Sequence, residues 1–314
     1  MSVQKIFNNM AKEYDKLSDL WYSWLFSRLH YLIASKILYK KDPFKVLDVG
    51  CGTGFQSYLY AAAGCEVYGI DIASDLIEIA KHKLEAFNSQ NFELFSPYFD
   101  YVKRYNQLIR QYIKNNGNEI KYIPPKFFKG DAVNIHFNNA QFDHINCCGS
   151  TLSFIPKYKQ AISEIARVLK QNGTFLIEVE NRWNFNFIWY LLDPFLRNRF
   201  KFNKSFKAAV KFLIKKPTQN IWINFPFGEL KKPVNMVLNL FTFYSLKREL
   251  LSYSLKVKKK WFIHSITNLL PCTLLDCLKP QKKMISKFKF LTKLEEKLFF
   301  KMPGSSLVIY GHKI

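Results

Sequence analysis

The sequence predicts an α/β protein built on an open, doubly wound, mostly parallel sheet. Three observations carry that expectation. Short apolar runs alternate with helical stretches. Glycines or acids close the runs, and five strand-to-helix steps fit within about the first 180 residues.

The elements can be taken in order. Residues 44–49 (FKVLDV) form a compact apolar strand that stops at Gly50-Cys51-Gly52-Thr53-Gly54. Residues 55–63 read as a helix, with Gly64 at a C′ position. Residues 66–70 (EVYGI) form a second strand ending at Asp71, and residues 73–87 place apolar side chains at helical spacing, with Ser74 or Asp75 as cap candidates. A short third strand, 127–129, ends at Gly130-Asp131-Ala132. Residues 141–147 (QFDHINC) are the fourth strand, with Asp143 placed at the turn before it. Residues 160–169 form an amphipathic helix, after which Gly173 turns the chain into a fifth strand, 174–179. A helix over 244–251 and strands over 255–263 and 307–310 close the sheet. Three stretches exceed what simple steps need: 92–125, including an aromatic helical run at 98–113; 181–240, with its crowd of Phe and Trp; and 265–302. Placed above the strand ends, they are expected to be helical insertions capping a pocket.

Composition excludes several classes. Of 314 residues, 48% are hydrophobic and 23% charged, which is not a disordered composition. The six cysteines form no CxxC pair and no zinc spacing, so free thiols in a reducing compartment are expected, and no metal site. The polar start MSVQKIFNNMAKEYDKL holds no signal-peptide core, and no stretch reaches about 20 unbroken apolar residues. A cytoplasmic protein follows, with the inner membrane surface as its one peripheral option. Charge is uneven. Residues 1–181 hold 21 Lys+Arg against 18 Asp+Glu, whereas residues 182–314 hold 26 against 6. An AT-rich coding bias explains many lysines, but not the loss of acids after residue 181; a positive field favours anionic partners.

Chemistry concentrates at the first strand's end. Glycines there let a ligand approach the backbone, and the next helix offers free N–H groups. Asp71 lies 21 residues past Gly50, the spacing at which a carboxylate meets a ribose diol. The glycines run G-x-G-x-G, and Asp48 precedes them by two residues. That carboxylate would repel a pyrophosphate and attract a ligand bearing an ammonium group.

VLDVGCGTG followed by GCEVYGIDIASDLIEIAKHKL resembles the class I S-adenosylmethionine-dependent methyltransferases, and most of all their quinone-biosynthesis and related small-molecule members. The resemblance covers about 1–181 and the last strands. It implies a seven-stranded Rossmann-like sheet and S-adenosyl-L-methionine as cofactor. It also implies that Asp48, Gly50, Cys51, Gly52 and Gly54 wrap the methionine half, that Asp71 binds the ribose, and that Ile72 flanks the adenine. Asp131 with Ala132 would meet the adenine, and Asn146 and Cys147 would line the cofactor near its methyl group. Phe7, Ala11, Tyr14 and Asp15 look like an N-terminal lid helix with Tyr14 on the cofactor. The expected organisation is a cofactor-binding core with its lid over 1–181 (insertion about 92–125), a substrate-cap insertion over 182–243, and the end of the core sheet over 244–314, with a basic helical excursion at about 265–304.

Methyl transfer from a sulfonium is an in-line displacement in which an enzyme mainly aligns the partners. A base helps only a hydroxyl or carbon acid. Glu180, at the fifth strand's end, and His264, just after the 255–263 strand, are the candidates. Each has a plainer alternative: Glu180 pairing Arg182, and His264 as a satisfied loop histidine. Cys147 and Cys148 read as small lining residues rather than nucleophiles. Residues 261–278 hold no Lys or Arg, while Lys258–Lys260, Lys279, Lys282 and Lys283 flank them, the pattern of an element lying on an anionic membrane surface. The expected acceptor is a small lipophilic molecule. An RNA methyltransferase using the basic half is the second reading, and a non-catalytic cofactor-binding regulator the third.

Overall fold

The computed structural model describes residues 2–15, 28–40, 44–84, 123–197, 221–225, 234–265 and 302–314, with single positions between them. Its helices are α1 (Val3–Tyr14), α2 (Phe55–Ala62), α3 (Ser74–His82), α4 (Thr151–Phe154), α5 (Tyr158–Val168), α6 (Asn186–Leu192) and α7 (Phe243–Leu251). Its strands are β1 (Lys45–Val49), β2 (Glu66–Asp71), β3 (Lys126–Lys129), β4 (Phe142–Cys147), β5 (Leu169–Glu180), β6 (Ile221–Phe225), β7 (Val234–Leu238), β8 (Leu255–Ile263) and β9 (Ser306–Lys313). Seven of them make one sheet in the order β3-β2-β1-β4-β5-β9-β8. Strands β1 to β5 pair in parallel, and β9 lies antiparallel between β5 and β8. This is the seven-stranded, doubly wound arrangement the sequence predicts.

Alternation along the central strands divides two cores. Val46, Leu176 and Val308 face one side, with α2 and the helical turns around Leu29, Ile33 and Ile37. Leu47, Val49, Ile177 and Ile309 face the other, with Ile162 and Ile165 of α5 and Leu246 and Leu250 of α7. Successive side chains of a strand point to opposite faces, so a sheet covered on both sides needs continuous apolar runs such as VLDV. Helix α2 ends as Gly64 predicts. With φ +85°, Gly64 donates to Ala61 O while Cys65 donates to Tyr60 O, the paired bonds of a Schellman stop.

Local expectations are corrected at five places. Neither Ser74 nor Asp75 caps α3; Ala73 is the N-cap, its N–H donating to Asp71 Oδ1, and Asn8 Oδ1 of α1 accepts from Asp75 N–H. The fifth strand begins at Leu169, ahead of the expected 174, and its left-handed residue is Asn172, at φ 61°, not Gly173. Gly173 is needed for space instead, since a Cβ there would sit 2.8 Å from Lys170 O. Asp143 lies inside β4, where it accepts from Lys45 N–H and pairs with Lys170. A hairpin of β6 and β7 falls in the 181–240 insertion, where no strand is expected. Finally, residues 261–263 of the supposed membrane element belong to β8, and Phe262 and Ile263 are buried. Lys256 and Lys258–Lys260 are exposed along this outer strand, interrupted by a bulge, a pattern that keeps a sheet edge from pairing with another chain. The helical run at 98–113 and the remainder of the 265–302 excursion, with Lys282 and Lys283, lie outside the described residues.

The insertion returns to the core at Asn239-Leu240-Phe241. Asn239 N–H donates to Ser153 O, Phe241 N–H donates to Glu180 O, and Arg182 N–H donates to Phe241 O. The fully buried Phe241 ring stands edge-on to Tyr158, 5.1 Å between centroids. Truncating a buried aromatic leaves a cavity costing about 3–5 kcal/mol. Phe241→Ala should therefore lower unfolding free energy by about that amount in a urea titration; a loss under about 1 kcal/mol would show that the insertion closes on the core without this ring.

Candidate active site

The turn after β1 is built from left-handed glycines. Gly50 has φ +72° and Gly52 has φ +55°, a region costly for residues with a Cβ. A Cβ at Gly50 would lie 2.3 Å from Thr151 Oγ1. Gly50 and Cys51 N–H groups both donate to Ile70 O, at 2.8 and 3.0 Å, which fastens the turn to β2. Gly52 N–H then donates to Asp71 Oδ2 at 2.9 Å. Burial raises the Asp71 carboxyl, while the Ala73, Gly52 and Ile72 amides draw it back down.

A cavity of about 360 Å³ opens above this turn, within the range of small-molecule sites. Seven of the sequence-predicted residues line it: Tyr14, Gly50, Gly52, Asp71, Ile72, Asp131 and Ala132. Asp131 accepts from Val133 N–H through Oδ1. Its residues of opposite character are few; Lys157 is the one cation in the described lining. Gly149 belongs to the Asn146–Ser150 run whose end the resemblance sets against the cofactor, whereas Thr151, Phe154 and Ile155 are lining residues that sequence reasoning missed. The signal was present in NCCGSTLSF directly after the fourth strand, but nothing in it says that the chain turns up beside the glycines rather than away.

The other predicted residues sit below or beside the cavity. Asp48 is buried with both oxygens engaged: Ser57 Oγ donates to Oδ2 at 2.6 Å and Asn146 Nδ2 to Oδ1 at 2.7 Å. It braces the turn from beneath, so the expected direct meeting with a ligand's ammonium is corrected. Asn146 is likewise buried, donating also to Gln56 Oε1 at 2.6 Å, and Tyr60 OH links it to His144, which reaches Thr174. Cys147 is fully buried in the core beneath β4's end. Cys51 is buried beside Gly69, and Gly54 forms the N-cap of α2, packed on Phe127. None of these five lines the cavity, because alternate residues of a strand and its turn face the core.

Helix α1 covers the site from the N-terminal side. Phe7 stacks edge-on with Tyr14 and with Phe154, at 6.5 and 6.0 Å. Ile6 and Met10 pack on Leu238 and Leu240, and Ala11 on Ala73 and Leu76. Its last turn is latched. Asp15 Oδ1 accepts from Thr53 Oγ1 at 2.6 Å, and Asp15 Oδ2 pairs with Lys83 at 2.7 Å. Lys83 also donates to Thr53 O and lies 4.0 Å above the Phe55 ring. Burial pushes the Tyr14 hydroxyl well above its ordinary value, with Asp71 and Asp15 adding to the shift.

Glu180 stands outside the lining and reaches toward it through Ser150, between the lining residues Gly149 and Thr151. Ser150 Oγ lies 2.8 Å from Glu180 Oε1 and 3.0 Å from Glu178 Oε1. Ser150 N–H also donates to Glu178 Oε2. The one hydroxyl proton is directed at one carboxylate or shared between both in a three-centre bond, so Ser150 bridges the pair. Burial, and then the Glu178 charge, push Glu180 up to about 8, making it the protonated member at neutral pH. His264 is buried at φ 62° at the end of β8 and does not line the cavity, contrary to its candidacy as a base.

A family model described as "Methyltransferase domain" matches residues 47–177. A demethylmenaquinone methyltransferase of Leptospira interrogans is 30% identical over 206 residues, which cover 62% of this chain and 69% of that protein. The chain belongs to the class I S-adenosylmethionine-dependent methyltransferases. A demethylmenaquinone methyltransferase of Staphylococcus aureus is 26% identical over 174 residues, 54% of this chain and 57% of that protein, so this match spans little more than half of the relative. A Listeria monocytogenes crystal structure assigned to the S-adenosylmethionine-dependent methyltransferases shares the fold, with TM-score 0.51 and 13% identity over 92% of this chain and 97% of that one.

The family's cofactor, S-adenosylmethionine, fits the residues present. A Cβ built at Gly52 meets only the Tyr14 ring, at 3.8 Å, so the space above that backbone belongs to the cavity. Two carboxylates and an apolar wall of Ile70, Ile72, Leu76 and Ala132 suit a cation with a ribose and an adenine and no phosphate.

Two outcomes follow for this methyltransferase. Gly52→Val should abolish cofactor binding in calorimetry while the far-ultraviolet circular dichroism stays native, because its side chain would fill the cavity and strain a positive φ; retained binding would make the turn merely structural. Burial raises Asp48 from 3.8 to about 6 in the folded protein, against the hydrogen bonds of Ser57 and Asn146. A folded value above the unfolded one means that its contribution is fully present below about pH 4 and is lost as pH rises toward 6. Between about pH 3 and about pH 7, wild type should lose about 3 kcal/mol relative to Asp48→Asn in urea unfolding; parallel curves would exclude the shift.

Proposed function

We propose that the protein transfers a methyl group from S-adenosylmethionine to a small lipophilic acceptor held at the Val3, Phe7, Phe154 and Ile155 end of the cavity. The observation that carries the reading is the cavity's mixed lining: carboxylates at Asp71 and Asp131 together with the aliphatic and aromatic side chains of Val3, Phe7, Phe154 and Ile155. The relatives named demethylmenaquinone methyltransferases support an acceptor of that lipophilic kind. A polynucleotide is disfavoured, because two carboxylates against the single Lys157 would repel a polyanion.

When bound, the cofactor supplies a methyl group already activated on a sulfonium. In this reading Asp71 accepts from the ribose hydroxyls, Asp131 with Ile72 and Ala132 holds the adenine, and the Gly50–Gly54 turn admits the methionine half. Tyr14 and Phe7 on α1 close over the site and keep water out, which strengthens the carboxylates' hold on a cation. The residues' work is alignment for in-line attack. Glu180, protonated at neutral pH, becomes a base above about pH 8, acting through Ser150 if the acceptor is a hydroxyl or carbon acid.

Asp71→Ala should weaken cofactor binding about 10- to 150-fold, since hydrogen bonds to a charged group are worth about 1.5–3 kcal/mol. Asp71→Asn, which keeps the shape and one of the two acceptors that receive the Gly52 and Ala73 amides, separates loss of the charge from loss of the side chain. Unchanged calorimetric affinity in both variants would remove Asp71 from the site. Methyl-labelled cofactor incubated with a fractionated host extract should place label in the lipid fraction; label in RNA would overturn the acceptor class.

A further inference from the structure

After β5 the chain does something unusual for a surface helix. Among the described residues, Trp183, Ile188, Leu192, Phe195 and Leu196 are 50%, 48%, 43%, 69% and 42% exposed. The last four stand at i, i+4, i+7 and i+8, one helical face. The turn after α6 keeps that face continuous, with Asp193 N–H donating to Trp189 O and Leu196 N–H to Leu192 O. Asp193, by contrast, is fully buried. The amphipathicity is inverted, with apolar side chains outward and the acid inward.

We propose that this face of α6 is the surface by which the protein docks on an anionic lipid bilayer. Grouped exposed apolar side chains mark interaction sites. The sequence that follows specifies the partner: residues 197–216 hold eight Lys and Arg and no acid. Arg197, exposed at the end of this face, begins that basic sequence, so a second copy of the chain would set like charges together. Single-stranded nucleic acid would use Trp183 and Phe195 for stacking but has no use for Ile188, Leu192 and Leu196. Aliphatic and aromatic side chains entering the headgroup boundary, beside cations at anionic headgroups, satisfy both features at once. Placement agrees as well. Strand β5 runs parallel to β4, so Glu180 and the chain leading into α6 leave the sheet at the edge where the cavity opens. The docking face deepens the proposed function, since it names where a lipophilic acceptor enters; it stands apart from the lysine edge of β8.

The test uses the full-length chain and vesicles of phosphatidylcholine with or without phosphatidylglycerol. Wild type should cosediment with the anionic vesicles, less at physiological than at low salt, and scarcely with the neutral ones. Replacing Ile188, Leu192 and Phe195 together by Ser should weaken that binding at least about tenfold while calorimetric cofactor affinity stays unchanged. If that triple variant misfolds, Arg197→Glu with Arg199→Glu and Lys201→Glu provides an independent reading with the same expectation. Wild type that stays in the supernatant at low salt, variants that bind like wild type, or retention on polyuridylate stronger than on vesicles would each overturn the proposal. Vesicle binding that persists while wild type fails to bind cofactor would strike the proposed function and leave the docking face intact.

Discussion

The hydrogen bond from Gly52 N–H to Asp71, 2.9 Å long, is the contact on which the rest of the site depends. It joins the turn after β1 to the end of β2, and through Ala73 N–H the same carboxylate sets the start of α3. Parallel pairing of β1 between β2 and β4 brings those ends to one edge of the sheet. A left-handed backbone at Gly52 is what lets its N–H point at Asp71 while its α-carbon faces the cavity and the Tyr14 ring. A side chain at that position would displace ligand before it disturbed the core.

Electrostatics of the site follow from burial. Asp48, Asp71, Glu178 and Glu180 all have carboxyls raised by desolvation, yet each is met by donors from amides, hydroxyls or Asn146. An acid-rich pocket with one cation in its described lining favours a positively charged ligand. The division of labour among the acids is positional. Asp71 and Asp131 face the cavity, Asp48 supports the turn, and Ser150 bridges the Glu178–Glu180 pair. Neutralising part of that charge by protonation reduces the cost of assembling these five carboxyls near one cleft.

Helix α1 supplies Val3, Phe7 and Tyr14 as one wall of the cavity. Its hold is bipartite: apolar packing of Ile6, Met10 and Ala11 along its length, and the Asp15–Thr53–Lys83 latch at its end. The latch seats the lid on the glycine turn itself, so whatever orders the turn also orders the lid. Next to α1, whose Ile6 and Met10 meet Leu238 and Leu240, Phe241 and Asn239 tie the returning insertion to β5 and α4.

The sequence by itself determined the strand-helix alternation, the glycine turn and the acids at strand ends. Each is a local consequence of period-2 burial or of a backbone that only glycine tolerates. VLDVGCGTG and the later Asp71 and Asp131 were therefore readable, as was the Gly64 stop. Tertiary structure decided what local rules leave open. Whether a carboxylate faces ligand or core depends on which neighbours supply its donors; Asp48 points inward because Ser57 and Asn146, 9 and 98 residues away in sequence, receive it there. The same reason removed Asn146, Cys147 and His264 from the cavity wall and brought Thr151 and Phe154 to it. Order within the sheet, with β9 inserted antiparallel between β5 and β8, and the outward apolar face of α6 likewise rest on contacts between segments far apart in the chain, which no window of residues contains.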